Sequence, residues 1–205
     1  MCINKNNCNC LSTPRECDSL GPFIAIDINC INTPVDNNAG SIIPFSSGIT
    51  TSVVSRGPDF GFTSSLIGFG TAINGVTILN DNTINLTGSL SEAFSVPRNS
   101  NITAISAAFS AIPNPNLIEV ATITAQIYRA PAGSNIFTAT NARVDLAPPV
   151  TNFVQPTSFG SAEIEPVSVS VGDLLLMVFY ISSTIISPQT NFSISGFASA
   201  GINMI

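Results

Sequence analysis

Five thiols are the side chains of this 205-residue chain best suited to covalent chemistry. All of them, Cys2, Cys8, Cys10, Cys17 and Cys30, lie within the first thirty residues. Thiolates in a short polar segment can hold zinc or form disulfides. Structural zinc usually takes four sulfur or imidazole ligands in paired C-x₂₋₄-C spacing. The spacing here is C-x₅-C-x-C-x₆-C-x₁₂-C, without a C-x-x-C pair and without histidine. That pattern favours disulfides over metal. Because the count is odd, at least one sulfur must bridge to another chain or stay free. From Ile31 to Ile205 there is no cysteine at all, so folding of that part is expected not to depend on redox state.

The remaining chemistry is sparse. With no histidine, the usual general base and the Ser-His and Cys-His pairs are missing. Glu163 and Glu165 are two apart and share one face if that segment is a strand, an ordinary arrangement for exposed carboxylates. Asp36-Asn37-Asn38 and Asn80-Asp81-Asn82 carry oxygen ligands but lack the spacing of a calcium loop, and they read as turns. Gly57-Pro58-Asp59 and Gly68-Phe69-Gly70 are turns rather than phosphate loops. Three Asn-x-Ser/Thr triplets begin at Asn85, Asn101 and Asn191, which chance explains in so Asn- and Thr-rich a chain. The chain is therefore not expected to be an enzyme, and no cofactor or metal is expected.

Composition excludes further classes. Charged residues make up 9% of the chain and hydrophobic ones 44%, with a net charge of −6. Average soluble domains carry roughly 25% charged residues. A chain so poor in charge, with a positive mean hydropathy, is expected to bury much of its surface against other copies. The six basic residues, Lys5, Arg15, Arg56, Arg98, Arg129 and Arg143, do not cluster and there is no Trp, which argues against nucleic acid. No secretory signal is legible at the start, and the most apolar run, Leu174 to Ile181, is too short to span a bilayer.

The elements that must carry these residues read as β-structure. Residues 1–20 form a polar tail. Gly21 to Cys30 contains an apolar strip in which Ile24, Ile26 and Ile28 share a face, beside Pro22 and Phe23. From Ser41 onward, β-branched runs alternate with Gly, Pro and Asn clusters. The pattern predicts strands at Ser41–Ser46, Thr51–Ser55, Ser64–Gly68, Val76–Leu79, Thr83–Thr87 and Ala93–Val96. Longer ones are predicted at Ile102–Ser110, Ala121–Tyr128, Ile136–Leu146, Ile164–Ser170, Leu174–Ser182 and Phe192–Ile202. Such spacing predicts an all-β sandwich or jelly roll. Val120–Tyr128 alternates, so one side should face water or a neighbour. Leu174–Ile181 does not alternate and should be buried on both faces, under a loop or at a subunit interface. A tight Gly172-Asp173 turn should precede it.

Several stretches carry a family resemblance: Ile43-Pro44-Phe45-Ser46-Ser47-Gly48, Ile67-Gly68-Phe69-Gly70, Phe94-Ser95-Val96-Pro97-Arg98, Ile105-Ser106-Ala107, Ile123-Thr124-Ala125-Gln126-Ile127-Tyr128 and Gly196-Phe197-Ala198-Ser199-Ala200-Gly201-Ile202-Asn203. On these, Ile43 to Ile205 resembles the C-terminal domain of BclB-type exosporium glycoproteins of spore-forming bacilli. The resemblance implies a tumour-necrosis-factor-like jelly roll that trimerises. In that family the domain usually tips a collagen-like stalk, and this chain has no such repeat. Gly21-Pro22-Phe23-Ile24-Ala25-Ile26-Asp27 resembles exosporium leader segments that dock onto the spore surface. The implied organisation is a cysteine-rich, extended leader or connector over residues 1–40 and a jelly-roll body over 41–205. The implied role is a spore-surface structural protein, such as an endospore appendage subunit. It would be made in the mother cell without a signal and joined head-to-tail into a fibre through the docking strip and intersubunit disulfides. Its partners would be further copies of itself and an exosporium or other spore-surface anchor, with neither nucleic acid nor membrane. The alternative implied role is a trimeric adhesin or binding tip of the exosporium.

Overall fold

Alternating β-branched and small residues, broken every few positions by turn formers, leave the chain no continuous helical stripe to bury. In a computed structural model of the protein it folds accordingly into strands. The structure describes residues 40–55, 62–88, 92–114, 117, 120–151, 157–184 and 192–205. The connector, its five cysteines, the strip Pro22–Ile28, and the turns at 36–38 and 57–59 lie outside the described residues, as does Asn191. The described strands all belong to one compact unit, Asn38–Ile205. No described helix is long and apolar enough to cross a membrane.

Twelve strands follow one another: β1 Ser41–Ser46, β2 Thr51–Ser55, β3 Phe62–Ile67, β4 Ala72–Ile78, β5 Thr83–Asn85, β6 Phe94–Ser95, β7 Ser100–Ala111, β8 Ala121–Ala130, β9 Ile136–Asp145, β10 Thr157–Val169, β11 Leu174–Thr184 and β12 Phe192–Met204. Each matches an expected strand. The largest departure is β10, which begins seven residues before the expected Ile164. Its first half, Thr157–Glu163, is Ser/Gly-rich and weakly β-forming by itself. Long-range pairing of Thr157–Glu163 with Ser110–Ala104 of β7 makes it a strand.

The eight principal strands form two antiparallel layers. One runs β10-β7-β12-β2, with β1 also on β12, and the other runs β3-β11-β8-β9. Numbered along the chain, these orders are six-three-eight-one and two-seven-four-five, the order of a jelly roll. At one edge the layers are joined by the pair Val54–Thr63 and by the isolated bridge Ser46–Phe69, and the isolated bridge Ala147–Phe159 approaches closure at the other.

Inward residues fill the space between the layers: Ile105 and Phe109 of β7, Ile194, Ala198 and Ile202 of β12, Ile123 and Ile127 of β8, and Met177 and Phe179 of β11. The Phe109 and Phe179 rings face each other across it at 6.4 Å. Gly196 sits where a Cβ would come within 2.7 Å of the Phe109 ring, so only glycine lets β12 pass this close.

A second apolar cluster lies on the outer side of the second layer. Leu66, Leu176, Val178, Tyr128 and Phe137 are covered there by Ile78, Ile84 and Leu86 of the β4–β5 region. This settles how β11 is buried on both faces: Leu175, Met177 and Phe179 point to the main core, and Leu176 and Val178 to the second cluster. It also corrects one expectation. The polar side of β8 does not face water, because Thr124, Gln126 and Tyr128 are buried. Side chains of β9 and β11 close over that side, and hydrogen bonds replace the lost water.

Candidate functional site

Among the described residues, the outer face of the first layer combines exposed apolar groups with almost no charge. Register aligns it in four cross-strand rows. Thr157, Ser110 and Phe197 form the first, and Phe159, Ala108, Ser199 and Ser46 the second. Ser161, Ser106, Gly201 and Pro44 form the third, and Glu163, Ala104, Asn203 and Ile42 the fourth. Glu163, on the outermost strand, is the one charged residue in these rows. Phe159 is 66% exposed, Phe197 50% and Ile42 75%. At about 4.8 Å between strands and about 3.3 Å per residue, the rows cover roughly 14 by 20 Å. Small side chains keep the surface flat, and three large apolar groups rise from it. Glu163 and Glu165 both project from β10 into solvent.

The body has polarity. The chain reaches β1 at the end where Ser41 opposes Met204, and Ser100 opposes Val169 at the same end. Arg98 Nη2 donates to Ser41 Oγ at 3.0 Å there. The opposite end holds Ser55, Ala111, Ala121, Thr157 and Phe192.

The expected Gly172-Asp173 turn is present, with Gly172 at φ 84°. Buried Asp173 organises it. Oδ2 accepts the Ser170 amide at 2.8 Å and Arg129 Nε at 2.7 Å, while Arg129 Nη1 donates to the Ser168 carbonyl at 3.2 Å. Burial alone would raise the carboxyl's pKa. The Ser170 amide, the Arg129 hydrogen bond and charge, and the Ala132 amide outweigh it and hold Asp173 below the ordinary carboxylate value.

On the outer side of the second layer, Tyr180 Oη donates to Gln126 Oε1 at 2.8 Å, Gln126 Nε2 donates to the Thr140 carbonyl at 2.6 Å, and Thr124 Oγ1 donates to Asp145 Oδ1 at 2.5 Å. Burial pushes both phenols up, Tyr128 far beyond its usual range. At Tyr180 the Arg143 charge works against that rise and Asp145 adds to it. Tyr180, Gln126, Thr124 and Asp145 are held by these bonds, and among the described residues no nucleophile–base pair converges here.

A shallow groove of about 520 Å³ opens beside β4 and β5, walled by Ile73, Val76, Leu79 and Leu86, with Thr77 and Asn85 its polar lining residues. It presents neither an aromatic ring nor a charge, so it lacks the means to stack a sugar or pair an ion. Asn80–Asn82 is the turn between β4 and β5, where Asp81 Oδ1 accepts Thr83 Oγ1 at 2.7 Å and the Thr83 amide at 3.1 Å. No group of three potential metal ligands is present among the described residues.

No protein-family model matches the chain, and no curated protein matches it. Among solved structures, the chain is similar to the Eiger TNF of S. frugiperda at 9% identity over 80% of this chain and 94% of that one, with a TM-score of 0.33. At that score the likeness adds nothing to the strand order, which establishes the jelly roll by itself.

The sequence-predicted site residues all fall in the connector, outside the described residues. What sequence reasoning missed is the outer face of the first layer. Phe159 and Phe197 are 38 positions apart and come together only through register. The available signal was the Ser/Gly/Ala alternation of Ser193–Gly201 and Thr157–Ser161, which places every second side chain on a face without charge.

Proposed function

We propose that this chain is a structural protein of a spore surface that assembles with copies of itself. Bodies join as trimers through the outer face of the first layer. Residues 1–40 then link trimers head-to-tail into a fibre, with intersubunit disulfides among Cys2, Cys8, Cys10, Cys17 and Cys30. An exosporium or other spore-surface protein anchors the fibre.

The observation that carries this reading is the nearly uncharged face bearing Phe159, Phe197 and Ile42. A broad face with a single charge, from which Phe159, Phe197 and Ile42 project exposed, suits an interaction site on a charge-poor chain, and its flat ground of small residues lets identical copies approach closely. A standard interface removes about 800 Å² per partner, more than the four rows alone supply, so contacts extend past the β1 and β10 edges. The polarity of the body suits head-to-tail growth, because a contact between unlike ends grows an open filament whenever its rotation does not close a ring.

The test is the mass of the particle in solution by light scattering. The parent should contain trimers of the 21.3 kDa chain, or multiples of them. The double variant Phe159→Glu, Phe197→Glu should run as a monomer with an unchanged β-sheet circular dichroism spectrum. A monomeric parent, or a folded double variant that keeps the parent's mass, refutes the assembly surface.

A further inference from the structure

Asn74 stands in β4 directly before Gly75, and its side-chain carbonyl has an unusual set of donors. Thr51 Oγ1 donates to Asn74 Oδ1 at 2.6 Å, and the Ser52 amide donates to the same oxygen at 3.0 Å. Ser65 Oγ lies 2.9 Å from that oxygen and 2.6 Å from the Ser52 carbonyl, so its single proton is shared between two acceptors. Thr51 and Ser65 are fully buried and held by the sheet, whereas Asn74 and Gly75 are exposed. Gly75 is the residue at which the β3–β4 register shifts, has φ 80°, and has no atom within 4 Å of where a Cβ would stand.

We infer that Asn74 is a self-modifying residue whose side-chain amide is lost through attack by the backbone nitrogen of Gly75. The Gly75 nitrogen gives up its proton to solvent base and bonds to Asn74 Cγ. The C=O electron pair moves onto Oδ1, then returns as the Cγ–Nδ2 bond breaks. The leaving nitrogen takes a proton and departs as ammonia, leaving a five-membered imide. Water then opens the ring at either carbonyl, giving an aspartyl or isoaspartyl residue. The balance is one water consumed and one ammonia released, with no oxidant or cofactor.

Fixed donors aimed at an oxygen that becomes negative are the means by which an oxyanion hole accelerates acyl chemistry. Thr51 and Ser52 supply two such donors. Ser65 supplies a third that responds to the reaction. Its proton has two acceptors at rest, the Ser52 carbonyl at 2.6 Å and Oδ1 at 2.9 Å, and its share at Oδ1 grows as charge develops there. That interaction strengthens only on the way to the tetrahedral intermediate, which is the condition for catalysis as opposed to binding. Glycine at 75 leaves the attacking side unobstructed, and exposure lets ammonia escape.

Purified parent protein is incubated at mildly alkaline pH, folded and in denaturant, and the amide-to-acid mass change is followed by peptide mapping across residues 72–78. The folded chain should react faster than the unfolded one. Ser65→Ala and Thr51→Val, each checked for a native circular dichroism spectrum, should slow the folded-state rate, by up to about tenfold, the worth of one net hydrogen bond. Ser65→Ala alone suffices should Thr51→Val not fold. A folded parent that reacts more slowly than the unfolded chain overturns the inference. Folded variants that react as fast as the parent, or faster, overturn it too.

Discussion

Asp173 holds the turn through which the chain passes from β10 into β11, the strand buried on both faces. Its carboxylate is charged in the fold because the Ser170 amide and Arg129 stabilise that form more than burial disfavours it. A carboxyl whose folded pKa is depressed contributes stability that is present above its unfolded value, about 3.9, and is lost as pH falls below it through the folded value. Asp173→Asn should therefore be less stable than the parent at neutral pH, by about 1–3 kcal/mol, since it removes a charged hydrogen-bond acceptor from a mostly buried site. Below about pH 4 the gap should narrow, because the parent loses what the variant never had. Urea unfolding at neutral pH and near pH 3 measures both arms. A gap that stays constant would mean that the Asp173 charge contributes nothing.

At the scale of elements, β11 joins two cores. Met177 faces the main core between the layers, and Leu176 faces the cluster under β4 and β5; both are fully buried. Were the second cluster only a loosely packed flap, truncation there would cost little. The close cover by Ile78, Ile84 and Leu86 says otherwise. Leu176→Ala and Met177→Ala should each destabilise the protein by about 2–5 kcal/mol, within the range for large-to-small changes at filled sites. Chemical denaturation of the two variants beside the parent is the check. A Leu176→Ala cost well under 1 kcal/mol would show that the β4–β5 cover opens independently of the jelly roll.

At the scale of the whole molecule, all five cysteines lie in the first thirty residues and none in the body. Residues 31–205 contain no sulfur able to form a disulfide, so reductant should leave the sheet circular dichroism and melting temperature of the body unchanged. A bridge within a chain stabilises chiefly through the unfolded state, typically by 2–4 kcal/mol. A bridge between chains makes separation require bond breaking. Replacing Cys2, Cys8, Cys10, Cys17 and Cys30 by Ser should turn a high-mass ladder on non-reducing denaturing gels into a single-chain band. The same ladder from the quintuple variant would refute disulfide locking and leave assembly to packing.

The division between what sequence and structure each decided follows from how far apart the interacting residues are. Strand existence was local information. The runs around Ile105, Ile127, Met177 and Ile202 alternate or stay apolar for long enough, between Gly, Pro and Asn breaks, that each had to be a strand, and the charge-poor composition already pointed to buried surface. The segregation of all five cysteines into the first thirty residues was equally plain, as was the lack of histidine for acid–base chemistry. Pairing was not local. The sequence could not say that Thr157–Glu163 would be a strand, since Ser110–Ala104 of β7 supplies its hydrogen bonds from some fifty residues away. Nor could alternation on β8 reveal that Thr124, Gln126 and Tyr128 turn inward, because β9 and β11 bring the covering side chains. Register decided the rest. Shifting a strand by one residue exchanges its two faces, so only the folded sheet could set Phe159, Phe197 and Ile42 on one outward face, and Thr51, Ser52 and Ser65 around the single carbonyl of Asn74.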